Sequence, residues 1–554
     1  MFCQRRDSTN VAKTAMVNCE LNRAIPALGS FIAVAAATAV LFSVSSAAPQ
    51  QAGSETAIHL ITVEPGIYHS VSGQDDLRLI RRYFQGASWE LPISSETWQQ
   101  LRPLGISKIR LINVESGSAV QFEAGKKGPQ FNFSSLLPGL QDCRNYGLRP
   151  HIIVGQGPQI ALVIQEDGSS YGVSDWSRYE EYAYAFLKFV MVEQGFSQAD
   201  FEVANEPDIN GASWLTPEKL PMGAQAMYEA YFQLYRAWAT AADQLIREHP
   251  ELKLRIGGPS ITPHTFSFGK FNWAEHFAKD VAAQKLRLDF FSYHFYGNNA
   301  ALTGLPTFGR SPSFAVQIDT IRNSLSTAGL GNVPIYLTEW GPSYVTTAIP
   351  EGIINGNQVG AAWTARFFME MAASKIDEGM ALTLRDHFDP RRLENGWAWP
   401  SFLLSDGVTP KGLYNVALMF SKLPGQRVRA SDAEGSIGVL ASADKSKLGV
   451  LAFNQDWDYS NSKERAITER MEIRISGLPF PAARVRVVRY LVDATHSNAY
   501  HFYQQGMPID QANVGLTTVE EISLPVIAGV VTLPRVDLAP SSVTLWEISA
   551  ERKS

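Results

Sequence analysis

From residue 57 to about residue 415, short apolar runs alternate with longer stretches whose apolar residues recur at helical spacing. The runs are Ala57–Val63, Lys108–Val114, Arg149–Gly155, Phe201–Val203, Leu252–Pro259, Leu288–Gly297, Val333–Pro342 and Gly379–Asp386. Helical spacing is clearest over Leu136–Gly147, Trp176–Glu193, Met222–Glu248, Trp273–Ala283, Phe314–Ala328 and Val359–Ile376. A helix start with Ser94 and Glu96 precedes the second run. Strands this short and this uniformly apolar suit a parallel sheet buried on both faces. Polar residues close these runs all along the chain, at Asn113, Gln156, Glu206, Ser260, His294, Glu339 and Asp386. An open doubly wound sheet would gather such residues at one switch point, whereas a closed (β/α)8 barrel spreads them around one rim. The pattern therefore predicts an α/β chain built on a (β/α)8 TIM barrel. No G-x-G-x-x-G or phosphate-binding loop follows any strand, which argues against dinucleotide and nucleoside triphosphate chemistry.

Beyond about residue 415 the texture changes. Ile437–Ala441, Leu448–Phe453, Met471–Ile475, Ala483–Tyr490 and Ser542–Ile548 read as strands separated by turn residues, several with polar and apolar positions alternating. That predicts a C-terminal antiparallel β-sandwich domain. At the other end, residues 1 to about 24 are polar and basic. An apolar stretch from Ile25 to Val44 follows, and it closes on Ser45-Ser46-Ala47-Ala48-Pro49. This is the pattern of a secretory signal peptide, the alternative being an uncleaved signal anchor, since some 20 apolar residues can span a bilayer. The expected organisation is a signal peptide at 1–48 and, at 49–84, a linker with a first strand that can join the sandwich. The catalytic barrel follows at 85–415 and the sandwich at 416–554. The product would be secreted or periplasmic, with no stable membrane insertion after processing.

Two of the strand ends carry glutamates in matching settings. Phe201-Glu202-Val203-Ala204 leads into Asn205-Glu206-Pro207, and Ile335-Tyr336-Leu337 leads into Thr338-Glu339-Trp340-Gly341-Pro342. Proline disfavours continuation of each strand, so both glutamates belong at C-terminal tips, the catalytic end of such a barrel. A pair of carboxyl groups is what glycoside hydrolysis with retention needs: one protonates the leaving oxygen and the other attacks the anomeric carbon.

Charge narrows the partners. A formal net charge of −6 over 554 residues gives no reason to expect nucleic acid or an anionic membrane. Aromatic residues at 11% permit sugar stacking without requiring it. Of three cysteines, Cys3 and Cys19 precede the signal's apolar run, which leaves Cys143 without an intrachain partner. No Cys/His cluster has metal-ligand spacing, so neither metal nor cofactor is expected.

The pairing of Asn205-Glu206-Pro207 with Thr338-Glu339-Trp340 resembles clan A of the retaining glycoside hydrolases. Asp493-Ala494-Thr495-His496-Ser497-Asn498-Ala499-Tyr500, followed by Gly506-Met507-Pro508, narrows the resemblance to glycoside hydrolase family 39, which includes β-xylosidases and α-L-iduronidases. Phe131-Asn132-Phe133 through Pro150 is similar to that family's approach to its third strand. The resemblance spans roughly residues 85 to 550. It implies Glu206 as acid/base, Glu339 as nucleophile and Asn205 on the sugar 2-hydroxyl. Arg110 would lie beside the nucleophile, with His294 and Tyr296 around it. Trp340 and Trp397 join them as substrate-contact candidates, although Trp397 could equally be lid packing. The chain departs from the family's xylosidases at Ala204, where they usually carry an aromatic residue. It departs again at Arg110-Leu111-Ile112, where they carry Arg-x-His. The His496-Ser497-Asn498 stretch reads better as a clamp between sandwich and barrel than as a substrate contact.

Two other functions remain open on sequence alone. A barrel that binds carbohydrate without cleaving it would normally have lost a carboxylate, and both are present. A metal-dependent hydrolase would need a cluster, for which His294, Asp386, His387 and Asp389 lack ligand spacing.

Overall fold

The computed structural model describes residues 58–68, 82–88, 91–112, 114–115, 119–121, 130–155, 163–164, 170–171, 176–209, 223–267, 270–302, 311–374, 376–386, 393–431 and 435–551. The signal-peptide segment, Asn113, Gln156, His387 and Asp389 lie outside them. The described residues fall in one unit spanning Thr56–Ser554.

Eight strands close into a parallel barrel: β2 (Gln85–Ser88), β3 (Lys108–Leu111), β4 (Arg149–Val154), β5 (Gln198–Val203), β6 (Lys253–Ile261), β7 (Phe290–Tyr296), β8 (Ile335–Gly341) and β9 (Glu378–Ala381). They run in chain order around the barrel, and β9 pairs with β2 to shut it. The strand at Ile58–Tyr68, β1, lies outside the barrel. The barrel's first strand is the four-residue Gln85–Ser88, which has no β-branched residue and left no strand signal in the sequence.

Helices cover the outside. They comprise α1 (Ser95–Leu101), α2 (Leu137–Tyr146), α3 (Trp176–Lys188), α4 (Ala224–Glu248), α5 (Trp273–Ala283), α6 (Phe314–Thr327), α7 (Gln358–Ala373), the rim helix α8 (Leu393–Ala398) and α9 (Gly412–Lys422). Ser94 caps α1 by accepting from Thr97 N, and α2 stops at Gly147, whose φ of 66° lies in the left-handed region that glycine enters without strain. Helix α4 buries Tyr228, Tyr231, Tyr235, Trp238 and Leu245 at helical spacing, so its apolar stripe faces the barrel.

The second sheet holds ten strands, among them β10 (Gln426–Ala430), β11 (Ile437–Ala443), β12 (Lys447–Asn454), β13 (Glu469–Ser476), β14 (Arg484–Val492), β15 (Thr517–Pro525), β16 (Val530–Thr532), β17 (Val536–Leu538) and β18 (Ser542–Ala550). Pairing is antiparallel except that β1 runs parallel to β13. Ile61, Val439, Val450, Ile473, Val487 and Trp546 share one core, so the sheet is rolled over on itself as a sandwich. Strand β1 sits between β10 and β13, which places the first described residues inside this C-terminal layer.

The sandwich grips the barrel at several places. Asn415 of α9 donates to the carbonyls of Ser497 and Val514, and Asn498 donates to Gln358 Oε1 at the start of α7. The short helix α10 (Ala499–Gln504) brings Tyr500 and Tyr503 against Trp397 of α8, with ring centroids 5.4 and 5.5 Å apart.

Candidate active site

The barrel interior is built in charged layers. Alternation along a strand sends residues i and i+2 to the same side. Lys108 and Arg110 of β3 thus point inward together, as do Asp200 and Glu202 of β5. The lower layer joins Lys108 to Asp200 and Glu378, with Arg255 donating to both Asp200 oxygens at 2.8 and 2.9 Å. Above it, Arg110 is fully buried and donates in three directions. Nε reaches Glu202 Oε2 at 2.7 Å, Nη1 reaches Glu339 Oε1 at 2.7 Å, and Nη2 reaches Asn205 Oδ1 at 2.8 Å. Glu202 is completed by the Thr338 hydroxyl at 2.6 Å and by His151 Nε2 at 3.3 Å. Burial alone would push Glu202 up, but the Arg110 charge and His151 outweigh it and hold the carboxyl well below its usual range. Burial opposes the Arg110 charge as well, and the carboxylates of Glu202 and Glu339 more than restore it.

Glu206 and Glu339 face each other at the top. A carboxylate oxygen of each and Nδ1 of His294 all lie within 4.8 Å of one another. His294 Nδ1 is 3.0 Å from Glu206 Oε1 and 3.5 Å from Glu339 Oε2, and its Nε2 is 3.0 Å from the Ser260 hydroxyl. Burial pulls the imidazole down, yet the two glutamates prevail and raise it above the ordinary histidine value. Tyr296 donates to Glu339 Oε2 at 2.7 Å. Burial, reinforced by the Glu339 carboxylate, keeps that hydroxyl protonated, so it remains a donor. Glu339 thus has a cationic donor on one oxygen and a neutral donor on the other. Three such ligand atoms could in principle close on a cation, but both Glu339 oxygens are already engaged. Two facing carboxyl groups, one of them held by Arg110 and Tyr296, have the arrangement that an acid and a nucleophile require.

The backbone under these groups is strained. Ala204, Glu206 and Ser260 have φ of 68°, 50° and 56°, a region that residues with a Cβ rarely occupy. Hydrogen bonds fix the conformation: Ala204 N donates to Val154 O at 2.7 Å and Glu206 N to Ser260 O at 3.0 Å. Such strain gathers where a side chain must be aimed. Two register shifts act likewise. Tyr293 and His294 pair with Leu337 and Glu339, so Thr338 is an extra residue, and Thr338 and Glu339 both reach the interior although they are adjacent. Ser260 is the extra residue between Pro259 and Ile261, which pair with Ser292 and Tyr293.

Of the residues expected from sequence, the structure brings Arg110, Asn205, Glu206, His294, Tyr296 and Glu339 together. It does not bring the two tryptophans. Trp340 alternates outward from Glu339, is fully buried against Phe367, Phe368 and Phe402, and donates its indole N–H to Tyr83 O. Trp397 is fully buried in the cluster with Tyr500 and Tyr503. Neither ring has a face left for sugar.

Sequence reading overlooked Glu202, His151, Thr338 and Asp208. Glu202 carried a signal, a charge between two apolar strand residues, and His151 had one of the same kind. Asp208 is buried beside Glu206 and accepts from the Thr262 amide and hydroxyl. Burial pushes its carboxyl up to about 7, with the Glu206 charge adding to the effect.

The family model for glycosyl hydrolases family 39 matches residues 94–535. In architecture the chain is similar to the GH39 enzyme from Xanthomonas axonopodis pv. citri, with 19% identity over 91% of this chain and 100% of that one and a TM-score of 0.69. It is similar to a monomeric beta-xylosidase from Caulobacter crescentus CB15, with 18% identity over 89% and 100% and a TM-score of 0.67. A glucosidase from Croceicoccus marinus follows, with 16% identity over 90% and 100% and a TM-score of 0.60. No curated protein matches the chain in sequence.

Proposed function

The chain belongs to glycosyl hydrolases family 39 and is a retaining clan A glycosidase, and from that premise we propose how its residues divide the work. The observation that carries the proposal is the spacing of Glu206 and Glu339. One oxygen of each lies within 4.8 Å of the other, nearer to the roughly 5–5.5 Å of retaining pairs than to the roughly 6.5–9.5 Å of inverting ones.

Glu206 gives its proton to the glycosidic oxygen while a Glu339 oxygen attacks the anomeric carbon. The C–O bond to the leaving unit breaks, and a glycosyl ester on Glu339 forms. Glu206, now a carboxylate, takes a proton from water, whose oxygen attacks the same carbon and releases Glu339. Arg110 donates to Glu339 Oε1 and fixes its position. By donating to Asn205 Oδ1 it also turns the Asn205 amide nitrogen into the donor for a sugar hydroxyl. His294 Nδ1 lies between the two glutamates, 3.0 Å from Glu206 and 3.5 Å from Glu339, and holds them in position.

The substrate proposed is an oligo- or polysaccharide, with xylosides and glucosides first in line because a beta-xylosidase and a glucosidase are among the similar structures. Export is part of the proposal and rests on the basic segment, apolar run and small residues ahead of Pro49. No helix among the described residues is long and apolar enough to cross a membrane. The deciding experiment is a screen of aryl glycosides and plant, algal and bacterial polysaccharides, with the first-formed anomer read by NMR. Retained configuration is expected. An inverted product overturns the assignment of Glu339 as nucleophile, and sugar binding without release of phenol would make the protein a carbohydrate binder.

A further inference from the structure

The loop after Glu339 carries an aromatic ring that the chemistry above does not use. Tyr344 is 54% exposed, while Tyr296 beside it is 6% exposed. Their rings meet edge to face, with centroids 6.4 Å apart and planes at 85°. Tyr296 is the residue whose hydroxyl holds Glu339, so Tyr344 stands one side chain away from the nucleophile, at the mouth of the site.

The ring is exposed, but its backbone is firmly held. Ser343 N donates to Asn355 Oδ1 at 2.9 Å, and Asn355 Nδ2 donates back to Ser343 O at 2.9 Å and to Ala398 O at 2.8 Å. Tyr344 N donates to Asn298 Oδ1 at 3.1 Å, and Asn298 in turn donates to Glu351 Oε1 at 2.7 Å. Asn355 is fully buried, so its three bonds are sheltered from water, whereas the bond from Tyr344 N to Asn298 is exposed. A loop clamped this tightly fixes where the ring stands, yet leaves most of it in solvent. Ile349, farther along the same loop, and Ile209, three residues after Glu206, are each 49% exposed.

We infer that Tyr344 is a stacking platform for the sugar unit adjoining the reactive one, a reading that rests on the hydrolase function proposed above. The apolar C–H face of a pyranose can lie on an aromatic ring, and a saccharide seated over Glu339 meets this ring within the length of one further unit. Holding the loop in place beforehand reduces the ordering cost of that contact. Tyr344 touches no reacting atom in this arrangement. It selects for chain length.

The test compares Tyr344→Ala and Tyr344→Trp with wild type on two substrates of the sugar that the screen identifies. For a xylosidase these are β-xylosyl fluoride and xylotriose, and for a glucosidase β-glucosyl fluoride and cellotriose. A fluoride leaves the adjoining position empty, whereas the trisaccharide fills it. Tyr344→Ala should lower kcat/KM on the trisaccharide roughly tenfold, about the worth of one aromatic contact, and leave the fluoride within about twofold. Tyr344→Trp should keep the trisaccharide rate. Equal losses on both substrates, or an unchanged trisaccharide rate in Tyr344→Ala, overturn the platform. A wild-type protein that cleaves no glycoside of the screen overturns the hydrolase reading instead, and the platform falls with it. The thermal midpoint of Tyr344→Ala serves as the folding control and should match wild type, because the ring is solvent-facing.

Discussion

Arg110 Nε lies 2.7 Å from Glu202 Oε2, with neither side chain exposed to solvent. Arg110 also donates to Glu339 Oε1 at 2.7 Å, so the same side chain joins this pair to Glu339. Truncating Glu202 would leave Arg110 short of one countercharge in a buried site. Breaking a buried pair in this way costs about 3–5 kcal/mol. Glu202→Gln should therefore lower the unfolding midpoint at neutral pH. The pH dependence has a definite sign. A carboxyl held below its ordinary value stabilises the fold above the unfolded-state value and ceases to do so as pH falls through the folded value. Wild type should thus lose stability below about pH 4.5, and Glu202→Gln should lose less over the same range. Parallel acid limbs in the two melting-temperature profiles would show that Glu202 is not the group responsible.

The roles proposed for Glu206 and Glu339 separate by rescue. An activated aryl glycoside needs little protonation, so Glu206→Ala should still form the glycosyl ester on Glu339 and then stall. Azide needs no base and should restore turnover with a glycosyl azide of retained configuration. In Glu339→Ala the same azide should occupy the vacated face and give the inverted product. General acid–base assistance contributes roughly 10²–10⁴-fold, which keeps the rescue measurable. The opposite pair of products would exchange the two roles.

Asp208 should shape the activity profile near neutral pH. Its carboxyl is pushed up to about 7 by burial and then by Glu206, and the groups that face it are Glu206, Thr262 and Tyr293. As pH rises through that value, Asp208 becomes anionic and sets a second charge beside Glu206. Asp208→Asn keeps a neutral acceptor for Thr262 and should remove the change in kcat/KM that this ionisation produces near neutral pH. A variant profile that superimposes on wild type would contradict the coupling.

Cys143 should be inert in the folded protein. It is almost fully buried, and burial followed by the charge of Asp142 pushes the thiol up to about 12, so little thiolate is present at neutral pH. After iodoacetamide treatment and digestion, the Cys143 peptide should be unmodified from native protein and fully modified from denatured protein. Rapid native labelling would mean that α2 opens readily.

The barrel's outline was legible because its signals are local. The His294 strand alternates cleanly, with Ser292, His294 and Tyr296 inward and Tyr293 and Phe295 outward, and the helix boundaries at Trp273 and Ala283 follow from apolar spacing. Glu206 and Glu339 stood out because proline follows each closely. What escaped depends on closure of the barrel or on irregular backbone. Thr338 reaches the interior beside Glu339 only because the register slips there, and no side-chain period encodes that slip. The companionship of Glu202 and Arg110 joins residues 92 positions apart. Trp340 and Trp397 were offered to the sugar because aromatic neighbours of catalytic residues often serve it, but strand alternation turns Trp340 into the helix layer. Trp397 is claimed by a helix some hundred residues later, a contact that no local pattern announces.

The position of β1 carries a consequence for how the protein is made. Thr62 N donates to the hydroxyl of Ser431, 369 residues downstream, and Ile58 to Val63 lie alongside Arg470 to Ile475. At roughly 5–20 residues per second of synthesis, the edge of β1 waits about twenty to seventy seconds for its partners. A strand left open that long can recruit other chains. If the chain leaves the cell through a membrane, passage in an extended state turns this delay to advantage. The barrel and its late-arriving sheet then fold together on the far side, with both of β1's neighbours already present.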